Sequence, residues 1–461
     1  MPVGNPPFLE HPMADTNQKV LNRWLVVVGA ILIQLCLGAI YAWSAFTGKL
    51  CDLKGEYCFT ASQSQAIFSM GLASFALFMA FIGGPWQKKS GPRIVAITGG
   101  TVLGIGYILG AFLGKTFWAQ LIFIGLIGGA GIGLAYVVPI ACGAKWFPDK
   151  KGLIMGLAVA GFGFGATIWV KLADTWGPLL EKSIFGLPGV QTTFFVYGIL
   201  FLILVLIGSI WMVNPPEGWL PKGYTPPAPK PGAADAKGTV EFSVKEMFST
   251  PQFYMLWLTF IFSAGTGLMV IGVIKLFGID ALQIHAKMDI AAAGKAAGTA
   301  MAWYAIFNGL GRIIWGTVSD KIGRKISIFL MCLLQGIIML LFFKVGGASA
   351  ALLTLMACLI GFNFGGNFAL FPAATADFFG NKSVGTNYGW MFTAYGVGGI
   401  LMPTVVAGHF KDIAALAKGT SELTSAIVAQ AWSPPFIIGG AVCLLAAVIS
   451  ILAKPPQKKA A

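Results

Sequence analysis

Arg312 stands near the middle of the stretch 302–325, which is mostly apolar around the arginine and ends abruptly in charged residues. An arginine at the bilayer centre costs about 2.5 to 3.5 kcal/mol on insertion scales, so it persists only where it faces a polar cavity or a partner. Asn308 precedes it by four residues, which places both side chains on one helical face. A planar guanidinium binds a carboxylate through charge-assisted, bidentate hydrogen bonds. The pair therefore predicts a carboxylate site; the alternative is that Arg312 is a structural partner for helix ends or backbone carbonyls.

The composition indicates that this chain crosses a membrane many times. Hydrophobic residues make up 57% of the 461 positions, charged residues only 10%, and the mean hydropathy is +0.79. The net charge of +14 comes from Lys and Arg in short loops between apolar runs. This distribution is the positive-inside pattern and not a nucleic-acid footprint, so we expect a lipid bilayer as partner and no nucleic acid.

Twelve apolar runs reach the ~20 residues that a membrane helix needs. They are 24–46, 62–83, 94–114, 117–142, 152–172, 192–213, 253–276, 299–318, 326–345, 350–373, 388–407 and 434–453. With both termini inside, the cytoplasmic segments hold 19 Lys and Arg and the external ends 11, while Arg312 remains in the membrane. The sequence therefore predicts an all-α, multi-pass protein of a cell membrane, of the bacterial inner-membrane type, with cytoplasmic termini and no cleavable signal peptide.

The chain divides into two halves of six helices. The segment 214–250 is rich in Pro and Gly and reads as a cytoplasmic linker between the halves 1–213 and 251–461. Gly84-Pro-Trp-Gln-Lys-Lys-Ser-Gly-Pro-Arg93 corresponds to Gly316-Thr-Val-Ser-Asp-Lys-Ile-Gly-Arg-Lys325 at an offset of 232. Two parallel repeats of six helices are typical of transporters that hold substrate near the midplane, between the halves.

The repeated loop resembles a loop motif of the major facilitator superfamily, Gly316-x-x-x-Asp320-Lys-x-Gly-Arg324-Lys. The segment Trp146-Phe-Pro-Asp-Lys-Lys-Gly152 resembles the WFPDKRG segment of the oxalate/formate antiporter family, whose relatives are the monocarboxylate transporters. The resemblance runs from about Asn22 to about Ala453. It implies the major facilitator fold and a substrate-binding arginine on the eighth helix, which is Arg312 here.

The resemblance also places aromatic residues around the substrate. Tyr41, Tyr136, Phe364 and Tyr395 are therefore predicted to bind substrate with Arg312, and Asn308 to orient Arg312 or to bond the substrate. Further polar or aromatic residues at mid-helix are weaker candidates: Trp43, Trp303, Tyr304, Asn363, Asn367 and Trp390.

The charge at the site favours a monocarboxylate. In the oxalate exchanger that typifies the family, the eleventh helix carries a lysine where this chain has Tyr395. A dicarboxylate needs both charges compensated in a low-dielectric cavity, and only one deep cation is present, because Lys171 and Lys275 fall near outer helix ends. We expect a transporter of lactate, pyruvate or formate type; the alternatives are an oxalate/formate antiporter and a carboxylate sensor that does not transport.

Gating residues are predicted at the cytoplasmic face. Asp320, within the motif that ends in Arg324 and Lys325, is expected to face the N-terminal end of the fifth helix, where the helix dipole and Lys150 or Lys151 favour an anion. The counterpart of Asp320 in the first half is Lys88. We therefore expect one strong electrostatic contact of this kind, called the latch, at Asp320 in the second half, and not a second one at Lys88 in the first half.

The sequence is consistent with more than one ion being coupled to transport. All 17 acidic residues are placed in loops, tails or helix ends, so no mid-membrane carboxylate is expected for a proton relay. Asn308 stands where monocarboxylate transporters often carry an acidic residue, and an amide takes up no proton. Transport is either anion exchange or a proton travels with the substrate. No catalytic residues, cofactor or metal ligands are predicted, and an enzyme is not expected.

The seven cysteines fall into two groups. Five lie in apolar runs and are predicted to be small buried hydrophobes: Cys36, Cys142, Cys332, Cys358 and Cys443. Cys51 and Cys58 share an external loop, where a disulfide and two thiols are equally consistent with the sequence.

Overall fold

The computed structural model describes residues 21–52, 55–147, 149, 151–174, 176–216, 219–223, 241–380, 384–408 and 423–456. Twelve membrane-length helices, α1 to α12, make up most of this part of the chain. They are α1 (Arg23–Leu37, continued by the 3₁₀ turn Gly38–Ala42), α2 (Ala61–Phe78, Met79–Gly83 and Gly84–Ser90), α3 (Pro92–Leu113), α4 (Phe117–Gln120, Leu121–Gly128 and Gly129–Trp146), α5 (Lys151–Ala173), α6 (Gly189–Ser209), α7 (Pro251–His285), α8 (Ile290–Ile322), α9 (Arg324–Gly346), α10 (Ala350–Phe379), α11 (Val384–Ile400 and Leu401–Gly408) and α12 (Ser425–Leu452).

Smaller elements occupy the connections. Ser44–Leu50 is a short helix after α1, Leu179–Glu181 is a 3₁₀ turn, and Val244–Phe248 is a short helix before α7. Between α5 and α6, the two-residue strands β1 (Ser183–Ile184) and β2 (Leu187–Pro188) pair antiparallel, with Ser183 opposite Pro188.

The twelve predicted helices are all present in the described residues. Eleven of them are long and apolar enough to cross a membrane. The remaining helix is α8, which has 33 residues. Its hydropathy is lower because it carries Asn308, Arg312 and many small residues. The least apolar helix is therefore the one that carries the predicted site.

Two helices extend further than the apolar runs indicate. Helix α7 continues to His285, beyond the predicted end at 276, and α8 begins at Ile290, before the predicted start at 299. The N-terminus of α8 is capped by Asp289, whose carboxylate accepts the Ala292 N–H at 2.9 Å. Hydropathy locates only the lipid-spanning part of such helices, because capped polar turns continue beyond it.

The extension of α7 corrects one expectation about the acidic residues. Asp280 lies inside α7, only 3% exposed, and accepts a hydrogen bond from Trp432 Nε1 at 3.0 Å. It is five residues from the helix end and remote in sequence from the Arg312 region. The five cysteines predicted to be buried are buried.

Because twelve helices cross the molecule, residues 21 and 456, where the described chain begins and ends, lie on one face, here called the N/C face. This face also carries the α2–α3 and α8–α9 loops, in which Gly91 and Gly323 have φ of 82° and 89°. These two glycines occupy corresponding places at the repeat offset of 232. Only glycine adopts this backbone conformation at little cost, which explains its use at both helix junctions.

Ion pairs join elements at the N/C face within each half. Arg23 at the start of α1 donates two hydrogen bonds to Asp149, at 2.8 and 3.1 Å, and its guanidinium lies 4.5 Å from the Phe147 ring centre. In the second half, Arg324 pairs with Asp320 at 2.5 Å and with Asp377 of α10 at 3.5 Å. These contacts hold the loops to their own halves.

The last residues of the predicted linker bind to the second half. The Phe242 N–H donates to the Phe379 carbonyl at 3.0 Å, and the Phe242 carbonyl accepts from Asn387 Nδ2 at 3.0 Å. The Ser243–Glu246 capping box then starts the short helix Val244–Phe248. The described end of the linker is therefore anchored between α10 and α11.

The two halves are in contact both toward the N/C face, where a Cβ on Gly389 would lie 3.2 Å from the Ala80 Cα, and on the opposite side of Arg312. At the α5–α8 contact, a Cβ on Gly163 would lie 2.8 Å from the Gly309 nitrogen, and Thr167 Oγ1 donates to the Ala302 carbonyl at 3.2 Å. At the α2–α11 contact, Ser69 Oγ donates to the Gly399 carbonyl at 2.8 Å. The structure is therefore a closed conformation in which small residues let helices of opposite halves approach closely.

Candidate functional site

The guanidinium of Arg312 is fully buried between the two halves. Its Nε donates to Asn308 Oδ1 at 3.0 Å, as the spacing of four residues predicts. Its Nη1 donates to the backbone carbonyl of Val159 in α5 at 2.8 Å, a bond that crosses from one half to the other. Its Nη2 meets no acceptor at full hydrogen-bond geometry among the described residues, and the Tyr41 and Tyr136 hydroxyls lie close enough to interact with the guanidinium. Arg312 therefore has a carbonyl partner, as the structural alternative proposed, and still keeps an available donor.

Two phenylalanine rings enclose the guanidinium. The Arg312 Cζ atom lies 4.0 Å from the ring centre of Phe368 in α10 and 5.4 Å from that of Phe162 in α5. Such cation–π contacts stabilise a desolvated cation by about 2 kcal/mol or more. Together with the bonds to Asn308 and Val159, they hold the positive charge inside the membrane region without a carboxylate partner among the described residues.

The four predicted aromatic residues lie in one cluster with Arg312. Tyr41 OH and Tyr395 OH are 2.8 Å apart, so this hydrogen bond joins α1 of the first half to α11 of the second. The Phe364 ring is 5.7 Å from that of Tyr41. The Tyr136 ring is 5.4 Å from that of Phe162. Four different helices thus bring the residues predicted from the sequence to one place.

A small cavity lies beside this cluster. Its volume is about 10 Å³, which is room for about one water molecule. Its lining comes from the four helices α1, α5, α7 and α8 and includes Tyr41, Ala166, Ile271, Tyr304 and Asn308. In the closed conformation the space next to Arg312 is therefore much smaller than a three-carbon acid, so the halves must separate to admit one.

Several weaker candidates lie away from the cluster. Trp43 packs within the first half and donates to the Ser64 carbonyl at 2.9 Å. Trp303 is 44% exposed on the outer surface of α8, and the Trp390 ring packs on Phe81 at 4.5 Å. These three tryptophans are large apolar side chains of the helix packing and the outer surface.

The polar candidates on α8 and α10 are buried close to the cluster. Tyr304 donates to the Gly267 carbonyl at 3.1 Å and lines the cavity. Asn367 accepts from Ser263 at 2.6 Å and donates to the Phe364 carbonyl at 3.0 Å. The Asn363 side chain is 3% exposed.

Arg312 is the cation that lies deepest in the described part of the chain. Among the described residues, Arg312 and Asp280 are the only charged side chains that are buried. Lys275 is partly exposed and interacts electrostatically with Asp174 near the end of α5 that faces away from the N/C face. At the place of the family lysine, Tyr395 presents a neutral hydroxyl that is bonded to Tyr41.

The predicted gating residues divide between described and undescribed positions. Asp320 and Arg324 pair with each other at 2.5 Å, and Arg324 also bonds Ser319 and the Gly316 carbonyl of the same loop motif. Lys150 lies outside the described residues, and the side chain of Lys151 does as well. The latch between Asp320 and these lysines stays a prediction.

Sequence reasoning missed the two rings on Arg312 and the aromatic core behind them. Phe162 and Phe368 sit in apolar runs full of phenylalanine, so nothing local marks them. The stripe Tyr388, Phe392, Tyr395 on α11 does have a signal, because the spacing i, i+4, i+7 puts three rings on one helical face. The Phe392 and Tyr395 rings are stacked at 4.8 Å.

Comparison with known proteins agrees with this architecture. The chain is 32% identical to the MFS-type transporter YhjX of Escherichia coli (strain K12) over 387 residues, which covers 82% of this chain and 86% of that one. It is 27% identical to the oxalate:formate antiporter of Oxalobacter formigenes, covering 84% and 85% of the two chains. It is 25% identical to apicoplast pyruvate carrier 1 of Toxoplasma gondii, covering 82% of each.

A solved structure shows the same fold. The proton:xylose symporter XylE superposes with a TM-score of 0.63 at 14% sequence identity, covering 92% of this chain and 94% of that one. The sequence profile of the Major Facilitator Superfamily matches residues 30–403. With its membrane-length helices, this protein is a multi-pass membrane protein, and the chain belongs to the major facilitator superfamily of transporters.

Proposed function

We propose that the protein is a secondary transporter of small monocarboxylates, of the lactate, pyruvate or formate type, that works by alternating access. The observation that carries the proposal is the fully buried Arg312, whose Nη2 is an available donor at the interface of the two halves. A substrate carboxylate there gains a charge-assisted hydrogen bond in a low-dielectric surrounding. The carboxylate carriers among the relatives, the oxalate:formate antiporter and the pyruvate carrier, support this substrate class.

The inter-half bonds at the site suggest how substrate and conformation are coupled. In the closed conformation Arg312 Nη1 bonds Val159 and Tyr41 bonds Tyr395, and each of these bonds crosses between the halves. When the halves rock apart, these donors become available to a substrate that enters from the open side. Binding then restores the contacts that favour closure.

Transport of oxalate is the second candidate, because of the relative of that name. A second buried negative charge needs a second cation, since an unpaired charge costs several kcal/mol. Lys275 and Lys171 are both partly exposed in the structure and not part of the aromatic cluster. A monocarboxylate therefore fits the charge of the site better. A sensor that binds carboxylate without transport is the alternative of another class.

We further propose that the N/C face is cytoplasmic, from the excess of Lys and Arg in the segments assigned to it. The coupling is either symport with a proton or exchange against an anion. Both modes are compatible with Asn308, whose amide cannot take up a proton but accepts a hydrogen bond from Arg312.

Reconstituted transport tests the proposal directly. In proteoliposomes we expect saturable uptake of labelled lactate, pyruvate or formate, with oxalate moved less well than the best of these. Acetate is included in the same panel as a two-carbon carboxylate with no further polar group. Counterflow separates exchange from symport: exchange requires substrate on the far side, whereas symport responds to an imposed pH gradient. Binding without uptake would identify a sensor, and no response to any carboxylate would refute the proposal.

A gating experiment tests the proposed role of the N/C-face motif. Asp320→Asn removes the carboxylate that pairs with Arg324 and that we propose also interacts with the start of α5. We expect faster modification of a cysteine introduced at Ala80, which is 2% exposed where α2 contacts Gly389. The rate of labelling by a membrane-impermeant maleimide is the measurement. Glu181→Gln, at a pair on the opposite face, is the control; an unchanged rate in Asp320→Asn would rule out the latch.

A further inference from the structure

Two cysteines lie at the neck of the loop that connects α1 to α2. The Phe59 N–H donates to the Leu50 carbonyl at 2.9 Å. This carbonyl belongs to the peptide unit that joins Leu50 to Cys51, and this N–H belongs to the peptide unit that joins Cys58 to Phe59. Cys51 and Cys58 are therefore each attached directly to one end of the same hydrogen bond, at the point where the loop closes.

This arrangement suits a disulfide. Facing residues of antiparallel chain segments have Cα atoms about 4.5 to 5.5 Å apart, and disulfides span about 4.4 to 6.8 Å between Cα atoms. Cys51 Sγ points toward the returning segment, because it donates to the Thr60 carbonyl at 3.6 Å. Cys58 Sγ donates to the Gly55 carbonyl at 3.2 Å, and Cys58 is exposed. Exposed side chains change rotamer readily, so rotation of Cys58 about χ1 is the movement that brings the two Sγ atoms together.

The other five cysteines of the chain differ from this pair. All five are buried within membrane helices, where cysteine acts as a small apolar side chain. Cys51 is partly exposed and Cys58 is exposed. Cys58 also has a φ of 50°, which is uncommon for a residue other than glycine. Neither burial nor backbone preference accounts for cysteine at these two positions, which points to the chemistry of their thiols.

The loop joins the contact between the halves to the core of the first half. The short helix Ser44–Leu50, which leads into the loop, packs against α7 of the second half. Near the end of this helix, Lys49 pairs with Glu181 at 2.8 Å. On the returning side, the Phe59 ring centre is 6.3 Å from that of Phe117 in α4. A covalent bond across the neck would therefore fix the short helix to the packed body of the first half.

We propose that Cys51 and Cys58 form a disulfide on the side of the membrane opposite the N/C face, and that this bond fixes the helix Ser44–Leu50 to the first half. The exposed Cys58 thiolate attacks the disulfide of an oxidant, either a thiol–disulfide oxidoreductase or a small disulfide, and the Cys51 thiolate then resolves the mixed disulfide. One S–S bond forms in the protein and one breaks in the oxidant. Two electrons and two protons pass to the oxidant, which leaves as two thiols.

The inference rests on the orientation proposed above, with the N/C face in the cytoplasm, because disulfides persist in oxidising compartments and are rare in the cytosol. It does not depend on the identity of the substrate. A disulfide stabilises a protein mainly by restricting the unfolded chain. We therefore expect the oxidised protein to have a higher Tm than the reduced protein.

Thiol labelling in intact cells tests the disulfide and the orientation together. A membrane-impermeant maleimide should leave wild type unlabelled, and it should label Cys51 and Cys58 after treatment with tris(carboxyethyl)phosphine. In Cys51→Ser, Cys58 should be labelled from outside without reduction, because it has lost its disulfide partner. The five buried cysteines are the internal control and should stay unlabelled throughout. Mass spectrometry of unreduced peptides from wild type should show the link between Cys51 and Cys58.

The effect of the bond is measured on the purified protein. Reduction should lower the Tm of wild type by several degrees and leave the Tm of the double variant Cys51→Ser/Cys58→Ser unchanged. Carboxylate uptake by the double variant should stay within about twofold of wild type, since substitutions away from the site usually have small effects.

The outcomes that contradict the inference are distinct. Labelling of both cysteines in unreduced wild type, without a linked peptide, would overturn the disulfide. Labelling of Cys51→Ser only after the cells are opened would refute the orientation and the disulfide with it. A linked peptide whose reduction leaves the Tm unchanged would refute the stabilising role. The proposed transport function fails separately, if the disulfide is present and no carboxylate is transported.

Discussion

Replacing Arg312 by alanine should lower carboxylate uptake at least about 100-fold, because removing one partner of a buried charge pair costs about 3 to 5 kcal/mol. The substrate carboxylate would then be buried against Phe368, Phe162 and Asn308 without a compensating cation. Arg312→Lys should keep part of the activity. Lysine retains the charge but loses the planar fork that bonds Asn308 and Val159 at once. The measurement is initial uptake of lactate, pyruvate, formate, acetate and oxalate into proteoliposomes.

The control for this series is Arg93→Ala. Arg93 also donates to a backbone carbonyl, that of Ile210, at 2.5 Å, but at an exposed position on the N/C side of the first half. Its replacement should leave substrate uptake within about twofold of wild type, since surface substitutions usually have small effects. Equal transport of every substrate by Arg312→Ala and wild type would exclude the arginine as the substrate-binding residue.

Widening the contact between α5 and α8 should have the second largest effect. A Cβ at Gly163 would lie 2.8 Å from the backbone nitrogen of Gly309. A Cβ at Gly309 would lie 2.5 Å from the Phe164 ring. Backbone atoms cannot move aside as a flexible side chain can. Gly163→Val should therefore hold the two halves apart at this point, while each half keeps its own packing.

Overpacking costs about 1 to 3 kcal/mol, so we expect the closed conformation of Gly163→Val to be about 5- to 150-fold less populated. Uptake should fall accordingly, because alternating access passes through closure. Substrate binding, measured as the Tm shift with lactate, should persist. Gly298→Val on α8 is the control, since a Cβ at Gly298 meets nothing within 4 Å. Normal uptake by Gly163→Val would show that this close approach is not required for transport.

The two experiments address separate steps of one cycle. Arg312 is predicted to decide whether a carboxylate is bound, and the glycine contact whether the loaded carrier can close. The bond from Arg312 to Val159 connects these steps, because the guanidinium that we propose as the substrate-binding group also joins α8 to α5. If a Gly163 variant binds carboxylate without transporting it, and an Arg312 variant neither binds nor transports it, then binding and closure are separate roles of these two residues.

The amino-acid sequence by itself determined the membrane class, the number of helices and the position of the central charge. These features depend on local composition: a run of ~20 apolar residues is long enough to span a bilayer wherever it packs. The contact between Asn308 and Arg312 is local in the same sense, since a helix brings residues four positions apart together. The family resemblance supplied the aromatic residues that were found clustered around the arginine.

Tertiary structure alone decided what surrounds that charge. Val159, Phe162 and Phe368 belong to helices distant in the sequence, and their contact with Arg312 depends on how α5, α8 and α10 are rotated and spaced, which hydrophobic periodicity specifies only to within a broad face. The same holds for the hydrogen bond between Tyr41 and Tyr395, which joins α1 of the first half to α11 of the second. Local patterns fix which residues a helix presents, whereas the close packing of helices, through their glycines and aromatic rings, fixes which of them meet.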